Sequence, residues 1–355
     1  MSNKARIIAH YLPQYHPIPE NEKWWGKGFT EWTNVGKAKP LFKGHYQPRI
    51  PSELGYYDLR VPEVRDAQAQ LAREYGIEGF CYWHYWFGNG KQLLERPFNE
   101  VLKSGKPDFP FCLAWANETW QGFDFGANGR NILIEQKYPG EKDIIDHFYK
   151  VLPALQDERY IRVDGKPLFY IYKPSFLPNP KKFIEIWQNL AIKNGINELF
   201  FVCQALDLDL INQYYNYGFN AVNINRFAYL FMNRGIWSKV KRRIFLRPNI
   251  FIYKDIIKQW EGIEDNKEFI FPTIIPNWDH TPRTGKKGSI FHNSTPEFFK
   301  KHLERTLETI KDKQAEHKII FLKSWNEWAE GNYVEPDLRF GRTYLEAIKS
   351  VIMGE

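Results

Sequence analysis

The sequence predicts an α/β protein, a (β/α)8 TIM barrel with long βα loops and a basic insertion after the sixth strand. Three observations predict it. Eight short apolar runs recur along the chain, and helical patterns lie between most of them. The loop after the first run is rich in proline and tryptophan. A doubly wound open sheet would usually place a glycine-rich phosphate loop there. A chain of 355 residues, 43% hydrophobic, can bury such a core as one domain over 1–355, with an insertion at about 228–265.

The strand-like runs are "RIIAHYL" from Arg6, "GFCYWHYWF" from Gly79, "FPFCLAWA" from Phe109 and "PLFYIYK" from Pro167. "LFFVCQA" from Leu199, "AVNINRF" from Ala221, "FIFPTII" from Phe269 and "KIIFLKS" from Lys318 complete the set. Each is short and rich in β-branched or aromatic residues, and glycine or proline punctuates them, as expected of strands buried on both faces. Among the helical patterns, "VPEVRDAQAQLAREYG" has proline at its start and glycine at its end. In "KQLLERPFNEVLKSG" Pro97 predicts a late start or a bend. "EKDIIDHFYKVLPALQ", "NPKKFIEIWQNLAIKNG" and "LDLINQYYNYG" come next along the chain. Ser294 or Thr295 caps "STPEFFKKHLERTLETIKDKQ", and "RTYLEAIKSVI" closes the chain.

Composition narrows the function. Aromatics make up 17% of the residues and thirteen are tryptophan, more than the core requires, so some should line a cleft. The net charge is +7, but Arg226 to Lys254 holds eight basic residues and no acid. Subtracting those eight leaves about −1 elsewhere, so the chain is not basic throughout, and no nucleic-acid module is present. The basic segment fits an anionic glycan, a pyrophosphate or a membrane face, with Arg242 and Arg243 as its center. Cys81, Cys112 and Cys203 each sit in an apolar run without metal spacing. Together with an N-terminus lacking a signal-peptide core, they point to reduced thiols and a cytoplasmic location.

Active sites of such barrels lie at the C-terminal ends of the strands. Five of the runs lead into segments of similar composition: "YLPQYHPIPENEKWWGKGFTEW", "HYWFGNGK", "WANETW", "PNWDHTPR" and "WNEWAEG". Tryptophan, asparagine, histidine and carboxylates therefore gather on one face. Glu327 and Glu330 would share a side if the chain turns there, and Gly331 suits a turn. Two neighboring carboxyls repel, which raises one pKa and leaves a proton donor beside an ionized partner, the equipment of glycosidic-bond chemistry. Trp24, Trp25, Trp32, Trp86, Trp120 and Trp328 are candidate sugar platforms. Tyr11, His84, Asn117, Glu118, Asp279, His280, Arg283 and Asn326 are candidate partners for hydroxyls. Asp279, His280 and Glu327 lack the close spacing of metal ligands, so neither metal nor organic cofactor is expected.

"HYLPQYHPIPENEKWWGKGFTEWTNV", "GFCYWHYWF", "WANETW" and "SWNEWAEG" resemble the WbsX-type proteins of bacterial polysaccharide loci, relatives of the glycoside hydrolase family 99 endo-α-mannosidases. The likeness runs from about residue 5 to 350. It implies a (β/α)8 barrel acting on an oligosaccharide or polysaccharide of O-antigen or capsule type. Asn326, Glu327, Trp328, Glu330 and Gly331 match the family 99 Asn-Glu-Trp-x-Glu-Gly motif. The resemblance implies that Glu327 is the base for the substrate 2-hydroxyl, which attacks the anomeric carbon to give a 1,2-anhydro sugar. Glu330 would then be the acid for the leaving oxygen and afterwards the base for water. "NETWQGFDFGANG" stands where many relatives have more basic residues, so the subsite there differs. A glycosyltransferase and a non-catalytic glycan-binding barrel are the rival readings.

Overall fold

The eight apolar runs are the staves of one closed parallel barrel in the computed structural model, which describes residues 3–122, 131–227 and 248–354. The strands are β1 (Arg6–Tyr11), β2 (Ile77–Trp86), β3 (Phe111–Trp115), β4 (Lys166–Ile171), β5 (Phe200–Ala205), β6 (Ala221–Ile224), β7 (Ile270–Ile274) and β8 (Ile319–Leu322). Each pairs in parallel with the next, and β8 closes on β1 through Arg6↔Ile319 to Ala9↔Leu322. Burial on both faces explains why the runs are continuously apolar and do not alternate.

The helices match the punctuation. Proline opens α1 (Pro62–Glu74) and α4 (Pro180–Lys193), and Asn179 caps α4 by accepting from the Lys182 N–H at 3.0 Å. Pro97 sits in the first turn of α2 (Arg96–Ser104): the helix starts late and is not bent. Next come α3 (Glu141–Leu155), α5 (Ile211–Asn216) and the single turn α6 (Tyr253–Ile256). Thr295 caps α7 (Pro296–Thr309), and α8 (Thr343–Ile352) packs against α7. The long loop after β1 adds two short helices, Pro19–Trp25 and Glu31–Lys37.

Inside the barrel an aromatic layer lies directly under the mouth. His10 of β1 stacks on Trp83 of β2 at 4.6 Å, and both meet the edge of Tyr170 of β4. Tyr170 donates to Asn223 Oδ1 at 2.8 Å. All four are buried, so the floor of the mouth is rigid.

Part of the predicted insertion, residues 228–247, lies outside the described residues, Arg242 and Arg243 included. From its described remainder, Tyr253, Ile256, Ile257 and Trp260 pack with Ile275, Trp278 and Phe291 into a small satellite core. Asn249–Ile252 pairs in parallel with Ser289–His292. Arg226, counted in the basic segment, is buried and salt-bridged to Glu264 and to Asp265. Its charge is therefore met within the fold. The three cysteines are buried free thiols. No helix among the described residues is long and apolar enough to cross a membrane.

Candidate active site

The chain does turn at the end of β8. Asn326 and Glu327 form a short antiparallel pairing with Asn332 and Tyr333, and Trp328–Glu330 makes one 3-10 turn. Gly331 ends the turn at φ 58°. A Cβ there would stand 2.8 Å from the Asp279 Cβ, so glycine is required twice over, by conformation and by space. The turn puts Glu327 and Glu330 on the same side, within hydrogen-bond reach of each other, in a cleft of about 510 Å³ at the barrel mouth.

Each carboxyl has its own holder. Glu327 is 5% exposed and accepts from the Trp83 indole N–H at 2.9 Å. Burial first, and the neighboring Glu330 second, push its pKa up to about 7. Glu330 accepts from Arg283 Nη1, whose Nη2 meets Glu31 Oε2 at 3.1 Å. His280 Nε2 lies 3.9 Å from Glu330. Burial and the nearby Arg283 guanidinium lower the His280 pKa to about 3, so this imidazole is neutral.

Of the residues named from sequence, Trp25, Glu118, Trp120, His280, Arg283, Glu327 and Glu330 line one cleft. Trp24 packs edge-on against Trp120. The others stand behind it. Tyr11 donates to Gln68 of α1, and His84 Nε2 faces His147 Nε2 of α3 at 2.9 Å. Trp86 stacks on the same His147 and donates to Asp143. Trp32 donates to the Tyr57 carbonyl and packs on Trp328. Trp328 is buried, stacked on Tyr333 at 3.7 Å with its N–H on Glu335 at 2.6 Å. Asn326 bridges the Leu12 N–H and carbonyl, and Asn117 does the same for Lys173. Asp279 is buried under Glu330, accepting from Gln47 Nε2 at 2.7 Å with His45 Nε2 at the same distance; its own N–H donates to the Glu330 carbonyl. These residues shape the site without facing its space. Among the described residues no cluster of ligands could hold a metal ion.

Sequence reading missed Trp83, Tyr85, Tyr172, Lys323 and Glu31, all on the cleft wall. The signal for two of them was parity. In "YWHYW", alternate residues of β2 face opposite sides, and choosing His84 and Trp86 selected the helix side, while Trp83 and Tyr85 face the mouth.

The fold places the chain among (β/α)8 barrels built like family 99 glycoside hydrolases. Two solved structures of the GH99 endo-alpha-mannosidase from Bacteroides thetaiotaomicron, one in complex with BIS-TRIS-Propane, share the fold at TM-scores of 0.60 and 0.59 and at 13% and 14% identity. Each comparison covers 98% of this chain and 96% of the other. A "Glycoside hydrolase-like protein" does so at 0.62 and 16% identity, over 99% of this chain and 94% of that one. More particularly, the chain belongs to the WbsX family: the family model described as "Glycosyltransferase WbsX" matches residues 7–348. "Uncharacterized protein WxcX" from two strains of Xanthomonas campestris pv. campestris, B100 and ATCC 33913, is 36% and 35% identical over 98% of this chain. The chain spans about half the length of these curated relatives.

Proposed function

We propose that this chain is a carbohydrate-active enzyme that cleaves glycosidic bonds of a bacterial surface polysaccharide, of O-antigen or capsule type, with Glu327 and Glu330 as its catalytic pair. The observation that carries the reading is two carboxyls within hydrogen-bond reach at the foot of an open, aromatic-walled cleft. One is held by an indole N–H and the other by a guanidinium.

In the first step Glu327 accepts the proton of the substrate 2-hydroxyl. That oxygen bonds to the anomeric carbon as the glycosidic bond breaks, and Glu330 gives its proton to the leaving oxygen. In the second step Glu330 takes a proton from water, whose oxygen opens the 1,2-anhydro ring at the anomeric carbon while Glu327 returns its proton to the 2-oxygen. The scheme needs one proton on the pair, standing on Glu330 at the start. The closeness of the two carboxyls is the route by which a proton resting on Glu327 reaches it. The residues that wall this chemistry are Trp25, Trp120, Tyr85 and Tyr172, with His280 as a neutral hydrogen-bonding partner.

The family's description favors a second reading, transfer of a sugar from an activated donor. Against it, the Asp207-Leu208-Asp209 triplet after β5 does not line the cleft, and Asp207 Oδ1 accepts from the Asp209 N–H at 3.0 Å in a local turn. Incubating the protein with the polysaccharide of its host, and weighing the products by mass spectrometry, separates the two readings. Fragments gaining one water, and lost in both Glu327→Gln and Glu330→Gln, are expected. Undiminished cleavage by both variants defeats the two-carboxylate mechanism. A product heavier by one glycosyl unit, formed only with a nucleotide-sugar or lipid-linked donor, replaces hydrolysis with transfer.

A further inference from the structure

Two ammonium groups stand near the cleft with few polar partners of their own. Lys323 comes directly after β8 and lines the cleft. Its Nζ lies 5.6 Å from the centroid of Trp278, and among the described residues it has neither a carboxylate within 4.0 Å nor a hydrogen-bond acceptor. Lys173 comes after β4, on the opposite side of the barrel in the strand order. Its Nζ lies 4.5 Å from the centroid of Tyr172 and 5.9 Å from that of Phe176, and 3.9 Å from Glu118 Oε2, too long for a hydrogen bond. The Lys173 backbone is pinned on both sides by Asn117, and its ammonium lies over Tyr172 and Phe176, two residues of the cleft wall. Both lysines act electrostatically on Glu118, which lines the cleft together with Lys323 and Phe176.

Each ammonium carries three donors, and a half-buried cation with donors unspent loses hydration without compensation. The acids elsewhere in the cleft make no direct ion pair with either ammonium. Glu31 and Glu330 share Arg283, and Glu327 accepts from Trp83 and feels Lys323 as a charge beyond contact distance. Around Glu118 the local balance is two cations to one acid. Phe176, 53% exposed on the cleft wall, offers a flat face beside them of the kind that sugar C–H groups cover.

We propose that Lys173, Lys323 and Phe176 form a subsite for a sugar residue bearing an anionic group, a carboxylate or a phosphate, whose oxygens take up the unspent donors of the two ammonium groups. The inference rests on the glycan-cleaving reading and adds the class of sugar to it. It is distinct from any anion binding by the basic segment after β6.

Equilibrium binding tests it by ligand-observed NMR, with methyl glucuronide, its methyl ester and methyl glucoside 6-phosphate as probes. The acid should bind about tenfold tighter than the ester, one charge-assisted contact's worth. High salt should narrow the gap. Lys173→Met with Lys323→Met should abolish the preference, and Lys323→Arg should keep it, which separates charge from folding. Tighter binding of the phosphate than of the glucuronide assigns the anion to a phosphorylated sugar, and the reverse order assigns it to a uronic acid. Equal binding of acid and ester, no binding of any probe, or a preference that survives the double variant overturns the proposal. The readout is independent of turnover. A protein that discriminates acid from ester but cleaves no glycan keeps the subsite and loses the hydrolase reading, and one that cleaves without discriminating does the reverse.

Discussion

The segment after β8 has two faces, and both carry a buried glutamate. Glu327 is 5% exposed and Glu335 is 2% exposed, and burial pushes the pKa of each to about 7. On the dry face, Glu335 accepts from the Trp328 indole at 2.6 Å, Gln68 Nε2 at 2.6 Å and the Tyr57 hydroxyl at 2.8 Å. On the wet face, Glu327 has one donor, a second carboxyl and open space. Displaced acidity alone does not mark a catalytic group. What separates the two is the neighbor: three donors hold a carboxylate still, whereas a second carboxyl and a cleft give a proton somewhere to go.

The sharpest way to break this contrast is Glu327→Gln. It should lower turnover about 10³-fold, the scale of a positioned general base. Glu335→Gln should leave most of the activity, because that carboxyl touches no substrate. Comparable losses in both variants would erase the distinction between the faces.

Stability should separate the faces in the other direction. Glu335→Ala strands the Trp328, Gln68 and Tyr57 donors in the interior and should cost about 3 kcal/mol in chemical denaturation. Glu335→Gln, which keeps an acceptor, should cost less. Equal stability of Ala and wild type would mean that the network does not hold the turn.

The barrel was legible because strands buried on both sides read as unbroken apolar runs, and because proline, asparagine and threonine mark the helix starts. The carboxylate pair was legible because Gly331 implies a turn. Which face a side chain takes was harder to read. Tyr11, His84 and Trp86 were chosen by residue type, and strand parity turns all three toward α1 and α3. Trp328 looked like a sugar platform, yet its indole is spent on Glu335, a partner seven residues on that only the folded turn brings near. Lys323 was passed over because a lone lysine at a strand end carries no local signal. Glu118 and Lys173, its electrostatic neighbor and the second cation acting on that neighbor, lie beyond the ends of β3 and β4, far away in sequence.

The proposed scheme needs one proton on the pair, so activity should fall as pH rises through about 7, roughly tenfold per unit once the last proton is lost. A rate flat to pH 9 would remove the proton donor from the scheme. At the cleft wall, Trp120 packs on Tyr85 at 5.0 Å and Trp24 at 6.1 Å while facing the cleft. Trp120→Ala should raise KM about tenfold and change kcat less, the behavior of a stacking platform. A fall in kcat with KM unchanged would instead put the indole at the reacting center.

The smallest effect returns to Glu327. Its pKa is raised from the ordinary value, so the stability it lends is fully present below that value and is lost as pH rises through about 7. Above that point the wild-type protein carries the cost of an ionized, buried carboxylate, and a glutamine does not. Glu327→Gln, inactive, should therefore be the more stable protein in mild alkali, by about 1 kcal/mol once the weaker contact to Trp83 is counted. The advantage should vanish near pH 5. Glu335 titrates in both proteins and cancels from the difference, so the pH dependence of the gap reports Glu327 and its coupling to Glu330. A gap that stays constant from pH 5 to 9 would show that Glu327 ionizes as readily folded as unfolded, and the raised pKa that links the two faces would be gone.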